Sequence, residues 1–131
     1  MSILVVGSVA FDTVQTPSGR AEEVLGGSAS YFSVAASFFA PVHLVAVVGE
    51  DFDDAHASIF RDRGVEIGAL ERVPGRTFRW SGVYGEDLNQ RSTLSTELNV
   101  FQHFRPSRLG PQNVAVGLRL SGREVPSSQG R

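Results

Sequence analysis

Two short motifs near the start of the chain carry the groups best suited to bind a polyol. Residues 7–12 (GSVAFD) follow an apolar run and end in Asp12, whose carboxylate can accept hydrogen bonds from hydroxyl groups. Residues 26–29 (GGSA) place Gly26 and Gly27 at the start of a predicted helix, where a ligand can approach bare backbone N–H groups. Together the two motifs predict a pocket for a small molecule rich in hydroxyls.

Each motif also has a structural explanation that involves no ligand. Asp12 could cap a turn after the first strand, and Gly26 and Gly27 could serve only the start of the helix. Residues 49–51 (GED) are given such a structural role, because a strand-to-helix turn needs a glycine and a capping acid.

The segments that must position these motifs alternate between strands and helices. Apolar runs predict strands at residues 3–6, 43–48 and 65–67, with helices at residues 28–39 and about 53–63 between them. This order is typical of a parallel sheet with right-handed crossovers. Residues 16–19 (TPSG) predict a turn within an exposed or hairpin segment. We expect the first strand to be buried on both faces, as its continuous apolar run indicates.

The two helices should each turn an apolar face to the core. In the first helix the core-facing positions, spaced at i, i+3, i+4 and i+7, are Phe32, Ala35, Ala36 and Phe39. In the second helix, Asp51 or Asp53 is the expected cap, Ile59 and Phe60 should face inward, and Gly64 should follow the last turn.

Beyond Pro74 the hydrophobic period changes from that of a helix to that of a strand. Phe78, Trp80 and Tyr84 occupy alternate positions, which predicts a half-exposed antiparallel strand with residues 91–101 as its partner. This aromatic hairpin could form a lid over the polyol pocket. It could equally be a sheet edge that packs Trp80 on the core.

Composition excludes several kinds of chemistry. The chain of 131 residues has no cysteine, and all 12 of its basic residues are arginine, which excludes disulfides, thiolate nucleophiles, a P-loop and a Schiff-base lysine. The three histidines show no metal-ligand spacing, so we expect no metal site. A net charge of −2 favours neither nucleic acid nor a membrane as partner, and no signal or spanning segment is seen, so we expect a cytoplasmic protein.

The character of the sequence changes near residue 105. Residues 1–104 carry a net charge of about −6, whereas residues 105–131 carry about +4 and no aromatic side chain. We therefore predict a domain over residues 1–105 and a tail over residues 106–131 that is disordered apart from one weak strand at residues 114–120.

The motifs, taken in order, resemble the N-terminal half of the ribokinase-like (PfkB) family of carbohydrate and nucleoside kinases. The matching segments are residues 6–12 (VGSVAFD), 26–29 (GGSA) and 47–52 (VVGEDF), and the similarity covers about residues 2–105. The resemblance implies an α/β fold: a truncated ribokinase-like fold with a mainly parallel sheet, flanking helices and a small antiparallel β-lid hairpin.

The resemblance also implies an activity and a set of site residues. The activity is ATP-dependent phosphorylation of a hydroxyl on a sugar or nucleoside, with ATP and Mg²⁺ as cofactors. Asp12, Gly26 and Gly27 would bind the substrate, and Phe78 and Trp80 would belong to the lid. Where ribose kinases carry polar ligand-binding residues, this chain has Ala10, Ser28 and Tyr31. Tyr31 therefore favours a flatter ligand, such as a nucleoside or an inositol-like ring.

The family's general base lies in a G-A-G-D segment that this sequence does not contain. We therefore expect no catalytic residue and no ATP- or Mg²⁺-binding residue in the chain, which should be inactive by itself. The change of composition near Arg105 suggests truncation, for example by a frameshift. An open sheet edge should then make the chain marginally stable and favour aggregation, or a homodimer through the lid or that edge. A non-catalytic sugar- or nucleoside-binding module is the alternative function, and a dinucleotide-binding fold is disfavoured because residues 7–12 lack G-x-G-x-x-G.

Overall fold

Two β-sheets and two α-helices make up the described part of the chain. The computed structural model describes residues 1–105, so the predicted disordered tail of residues 106–131 and its weak strand lie outside the described residues. The strands are β1 (Ile3–Val6), β2 (Ala10–Thr16), β3 (Gly19–Gly26), β4 (Val42–Val48), β5 (Val65–Arg72), β6 (Phe78–Tyr84) and β7 (Arg91–Glu97). The helices are α1 (Ser28–Ser37) and α2 (Asp54–Arg61), and a short 3-10 helix covers Asn99–His103.

The first sheet is parallel, with the strand order β1-β4-β5. It confirms the predicted alternation of strands and helices. The central strand β4 has six of its seven residues buried, as a strand covered on both faces requires. The prediction that β1 is buried on both faces is wrong. Within residues 1–105, β1 lies at the edge of this sheet, and Val6 is 43% exposed.

The second sheet, here called the lid sheet, has the order β3-β2-β6-β7. Two antiparallel hairpins, β2–β3 and β6–β7, are joined through the parallel pair β2–β6. The turn predicted at residues 16–19 closes the first hairpin, where Thr16 pairs with Gly19. The lid is therefore larger than the single hairpin expected from the sequence. Asp12 lies inside β2, rather than just past the end of the first strand.

Helix α1 packs through its small side chains, not through the predicted phenylalanines. Its buried residues are Ala29, Ser30, Ser33 and Ala36, whereas Phe32 is 57% and Phe39 is 88% exposed. Of the predicted core stripe, only Ala36 is buried. Small side chains allow the helix axis to approach the sheet closely, and this packing outweighs the greater apolar area of the phenylalanines.

Helix α2 begins with a capping box. The Asp53 carboxylate accepts from the His56 amide at 3.0 Å, and the Asp53 amide donates to the His56 ring at 3.3 Å. Asp53 is therefore the cap and Asp51 is not. Phe60 is fully buried as predicted, but Ile59 is 40% exposed because only one side of this short helix meets the sheet.

The two sheets meet through an aromatic core. Phe11 on β2 stacks on Phe52 at a centroid distance of 6.4 Å, and Phe52 stacks on Phe60 at 6.5 Å.

Within residues 1–105, neither helix is long and apolar enough to cross a membrane. The homodimer through the lid or the open sheet edge stays a prediction.

Candidate functional site

Strand β2 and the start of α1 bring the two sequence motifs into direct contact. A Cβ atom added to Gly26 would overlap the Asp12 carboxylate, so only glycine allows this approach. The Gly27 backbone N–H donates a hydrogen bond to the same carboxylate. The lone acid and the glycine pair therefore converge on one point, as the predicted polyol pocket requires.

Gly27 turns the chain sharply into the helix. Its φ of +90° lies in the region that only glycine adopts readily, and a Cβ there would lie 2.5 Å from the Ser8 carbonyl oxygen. Ser8 then holds the first turn of α1: its Oγ accepts from the Ser28 amide at 3.1 Å, and its carbonyl accepts from the Ala29 amide at 2.9 Å. The N–H groups of residues 27–29 thus already donate within the chain.

Partial burial of the Asp12 carboxyl and its hydrogen bond from Gly27 act on its pKa in opposite directions. Partial burial raises the pKa of the Asp12 carboxyl, and the hydrogen bond from Gly27 only partly offsets this. Partial burial of the phenol, followed by the nearby Asp12 and Tyr84, raises the pKa of Tyr31. A ligand hydroxyl that donates to Asp12 would replace the water lost on burial.

A cavity of about 540 Å³ opens in front of Asp12, between α1 and the lid sheet. Its walls combine small polar groups from the start of α1 with aromatic side chains from the lid: Ser8, Ala10, Asp12, Val14, Gly27, Ser28, Tyr31, Phe78, Trp80, Tyr84 and Arg91. Of the predicted site residues, Asp12, Gly27, Tyr31, Phe78 and Trp80 line this cavity. Gly26 does not line it and lies against Asp12 instead.

The aromatic wall is built by Trp80 and its neighbours on the lid. The Trp80 ring lies over Gly82, where a Cβ would overlap it. Its indole N–H donates to Thr93 Oγ1 at 3.3 Å, and the Arg91 guanidinium lies 5.6 Å from the ring centroid. Tyr31 faces this wall from α1 and is 63% exposed, which leaves its ring accessible to a ligand.

Several residues that line the cavity were not among the predicted site residues, and three of them carry polar side chains: Ser8, Ser28 and Arg91. Ser8 and Ser28 lie inside the two quoted motifs, and their Oγ atoms are 3.1 Å apart, so the polar spacing of these motifs was an available signal. Arg91 had no such signal, because its position depends on its pairing with Tyr84 across the β6–β7 hairpin.

The described residues do not fit a metal site. Within residues 1–105, no three His, Cys, Asp or Glu side chains lie close enough together to hold a metal ion. Among the histidines, His56 already accepts a hydrogen bond at Nδ1 from the Asp53 amide at the start of α2. What the cavity offers is one carboxylate acceptor, several hydroxyls and aromatic faces, which suits a ligand with both a polyol and a planar ring.

No protein-family model matches this chain. A curated cytidine kinase from Thermococcus kodakarensis is 33% identical over 92 residues, which cover 66% of this chain and 31% of the kinase. This chain therefore spans about a third of the length of that relative.

Solved structures resemble the described part more broadly. Ribokinase from Giardia lamblia superposes with a TM-score of 0.69 at 20% identity, over 81% of this chain and 36% of that protein. A Burkholderia thailandensis nucleoside kinase in complex with inosine gives 0.67 at 15% identity, over 79% and 37%. Ribokinase from Cryptococcus neoformans in complex with ADP gives 0.58 at 20% identity, over 75% and 34%.

This chain has the ribokinase-like fold. The resemblance to the N-terminal half of the family is thereby confirmed, and so is the predicted α/β fold class. The ribokinase-like neighbours are kinases of sugars and nucleosides, and the fold places Asp12, Gly27 and the lid aromatics around one cavity.

Proposed function

We propose that this ribokinase-like chain forms the acceptor-binding part of a kinase that phosphorylates a nucleoside hydroxyl. The observation that carries the proposal is the cavity in which the Asp12 carboxylate faces the rings of Tyr31, Trp80 and Tyr84. The carboxylate can accept hydrogen bonds from the hydroxyls of a sugar, and the aromatic rings can stack on a nucleobase. The inosine complex and the cytidine kinase among the similar proteins support the nucleoside over a free sugar.

In this proposal Asp12 accepts hydrogen bonds from ribose hydroxyls, and Tyr31 and Trp80 flank the base. Stacking on an aromatic side chain contributes about 1–3 kcal/mol per base, which a free sugar cannot gain. Gly26 acts indirectly, by letting the chain approach Asp12 closely enough to fix the carboxylate.

The phosphate donor is proposed to be ATP with Mg²⁺, as the family resemblance implies and as the ADP complex of the Cryptococcus ribokinase supports. The described residues hold no metal cluster, so we assign none of them to the donor. The G-A-G-D segment that supplies the base in the family is not in this sequence. We expect the 131-residue chain to bind a nucleoside without transferring phosphate.

The test is a binding titration of the 131-residue chain with cytidine, inosine, ribose and myo-inositol. Trp80 is the sole tryptophan, so its fluorescence reports directly on the cavity, and calorimetry gives the affinity. We expect nucleosides to bind at least about tenfold more tightly than ribose, because only they gain stacking energy. Equal affinity for ribose would contradict the assignment to nucleosides.

The matched variants are Asp12→Asn, in the cavity, and Asp62→Asn, at the end of α2 and outside it. Asp12→Asn should weaken nucleoside binding by about tenfold or more, since hydrogen bonds to a charged group are worth about 1.5–3 kcal/mol. Asp62→Asn should leave binding unchanged. Adding ATP and Mg²⁺ should yield no nucleoside phosphate, and detection of that product would overturn the expected inactivity.

A further inference from the structure

The acid predicted to cap α2 has a different partner. Asp51 lies in the turn after β4 and contacts Thr77, the residue before β6: its Oδ1 accepts from the Thr77 amide at 2.9 Å and from Thr77 Oγ1 at 2.6 Å. Its other oxygen, Oδ2, accepts from Arg79 Nη1 at 2.7 Å. Asp51 therefore joins the parallel sheet to the lid sheet.

Thr77 makes this junction tight. It is fully buried, and its Oγ1 also accepts from the Gly49 amide at 2.9 Å. A Cβ on Gly49 would overlap the Gly75 carbonyl, and the Glu50 amide donates to that carbonyl at 2.9 Å. The turn after β4 thus packs closely against the start of β6, and hydrogen bonds from the Gly49 and Glu50 amides join the two.

Arg79 extends the junction to the other lid hairpin. Besides Asp51, its guanidinium donates through Nε to Glu23 on β3 at 2.8 Å, and it lies 5.3 Å from the centroid of the Phe11 ring on β2. The Arg79 side chain is only 14% exposed. One arginine therefore contacts β2, β3 and the turn after β4.

The alternation of side chains along β6 relates Arg79 to the cavity. Arg79 lies between Phe78 and Trp80 on β6, so its side chain leaves the opposite face of the strand. In the register of β2 and β6, Phe11 pairs with Arg79 and Asp12 pairs with Trp80. One face of the lid sheet thus lines the cavity while the other is anchored by Arg79.

We propose that Asp51 and Arg79 are positioning residues that hold the lid sheet at a fixed distance from the start of α1. Neither residue lines the cavity, so they act on the ligand only through Phe78, Trp80 and Asp12. The effect on ligand affinity rests on the proposed function, whereas the effect on lid order does not. The acceptor in question is the nucleoside named above.

The decisive experiment is hydrogen exchange on the ligand-free 131-residue chain, read separately for β4 and for β6 with β7. Asp51→Asn removes the charge that holds Arg79, and we expect lid amides to exchange about tenfold faster while β4 amides keep their rates. The control is Glu22→Gln, which breaks the exposed Arg20–Glu22 pair on β3 of the same lid sheet and should change neither exchange rate. Equal acceleration in both sheets, or none in the lid, would overturn the proposal.

Arg79→Lys provides a second variant that tests the geometry rather than the charge. Lysine keeps the positive charge but lacks the planar fork that reaches both Asp51 and Glu23. Lid exchange and the Trp80 emission maximum should move toward those of Asp51→Asn. If Asp51→Asn does not fold, Arg79→Lys decides alone, and wild-type behaviour of its lid refutes the positioning role.

Titration with cytidine or inosine gives the last readout. Both variants should bind the nucleoside about tenfold more weakly than the wild type, because a displaced lid loses its stacking contacts. If the wild type itself binds no nucleoside, the proposed function fails while the exchange result still decides the role of Asp51 and Arg79. Unchanged affinity together with a loosened lid would confine the role to lid order and contradict its effect on the ligand.

Discussion

The parallel sheet and the lid sheet use their residues in opposite ways. In the parallel sheet, six of the seven residues of β4 are buried, and nearly all are valine, leucine or alanine. In the lid sheet, all seven residues of β7 are exposed, and β6 has only one buried residue. The first sheet uses its strand faces to build the core, whereas the lid leaves one face open to the cavity.

The difference indicates that the parallel sheet contributes mainly to stability, whereas the lid sheet contributes mainly to the cavity wall. A buried apolar strand gains free energy from every side chain it removes from water. A lid strand that keeps its aromatic face exposed forgoes part of that gain and must be held by a few specific contacts. Those contacts include the Phe11–Phe52 stacking and the Asp51–Arg79 pair.

The largest expected effect comes from comparing one leucine in each sheet. Leu44 on β4 is fully buried and Leu94 on β7 is 63% exposed. Leu44→Ala should lower the free energy of unfolding by about 2–5 kcal/mol. Leu94→Ala should change it by no more than about 0.5 kcal/mol. Urea unfolding of both variants checks this, and similar losses would show that the lid contributes to the core as strongly as β4 does.

A smaller effect, on binding and not on stability, is expected for Trp80→Ala. Removing the indole from the cavity wall should cost about 1–3 kcal/mol of nucleoside affinity. The free energy of unfolding should change little, since the ring lies over Gly82 at the cavity surface. Calorimetric titration measures the affinity, with Leu88→Ala in the exposed β6–β7 turn as control. A large loss of stability would mean that Trp80 packs on the core.

The two carboxylates on either side of the lid should respond to pH in opposite directions. Burial raises the pKa of Asp12, so its ionisation costs stability as the pH rises above the ordinary value of 3.8. Asp12→Asn should therefore be more stable than the wild type at neutral pH, although it binds nucleoside more weakly. Burial alone would raise the pKa of Asp51, but the hydrogen bonds from Thr77 and Arg79 hold it below its ordinary value.

The contribution of Asp51 to stability is therefore present above pH 3.8 and lost as the pH falls through its lowered pKa. Asp51→Asn should lose about 1 kcal/mol at neutral pH and show a flatter decline in acid than the wild type. Thermal unfolding between pH 2 and pH 7 measures both variants. Curves for the two variants that shift in the same direction would contradict the opposite signs.

The smallest effect on stability is expected for an exposed ion pair within one strand, which does not connect the lid sheet to the parallel sheet. Arg20 and Glu22 on β3 are 56% and 68% exposed and lie 2.9 Å apart. Glu22→Gln should change the free energy of unfolding by about 0.5 kcal/mol or less, because solvent screens exposed pairs. A loss comparable to that of Asp51→Asn would mean that any ion pair on the lid stabilises it, and that the Asp51–Arg79 pair is not special.

Much of this architecture follows from local patterns. The apolar runs that predicted β1, β4 and the start of β5 depend only on neighbouring residues, and so does the period-two pattern of β6. The buried faces of the helices were harder to predict. Phe32 and Phe39 have the spacing of a core stripe, yet α1 buries Ala29 and Ser33 instead. Periodicity predicts that a helix has an apolar face, but the distance between helix and sheet decides which face packs against the sheet.

The sequence alone determined which groups are available to the candidate site: a carboxylate, a glycine pair that admits close approach, and a strand with aromatic side chains. The tertiary structure decided which of these groups meet. Arg79 and Glu23 are 56 positions apart, and Thr77 and Asp51 are 26 apart. The first contact depends on how β2 and β6 pair, and the second on how the turn after β4 meets the start of β6, and no local pattern encodes either. The role of Asp51 changed from a predicted helix cap to a link between two sheets for this reason.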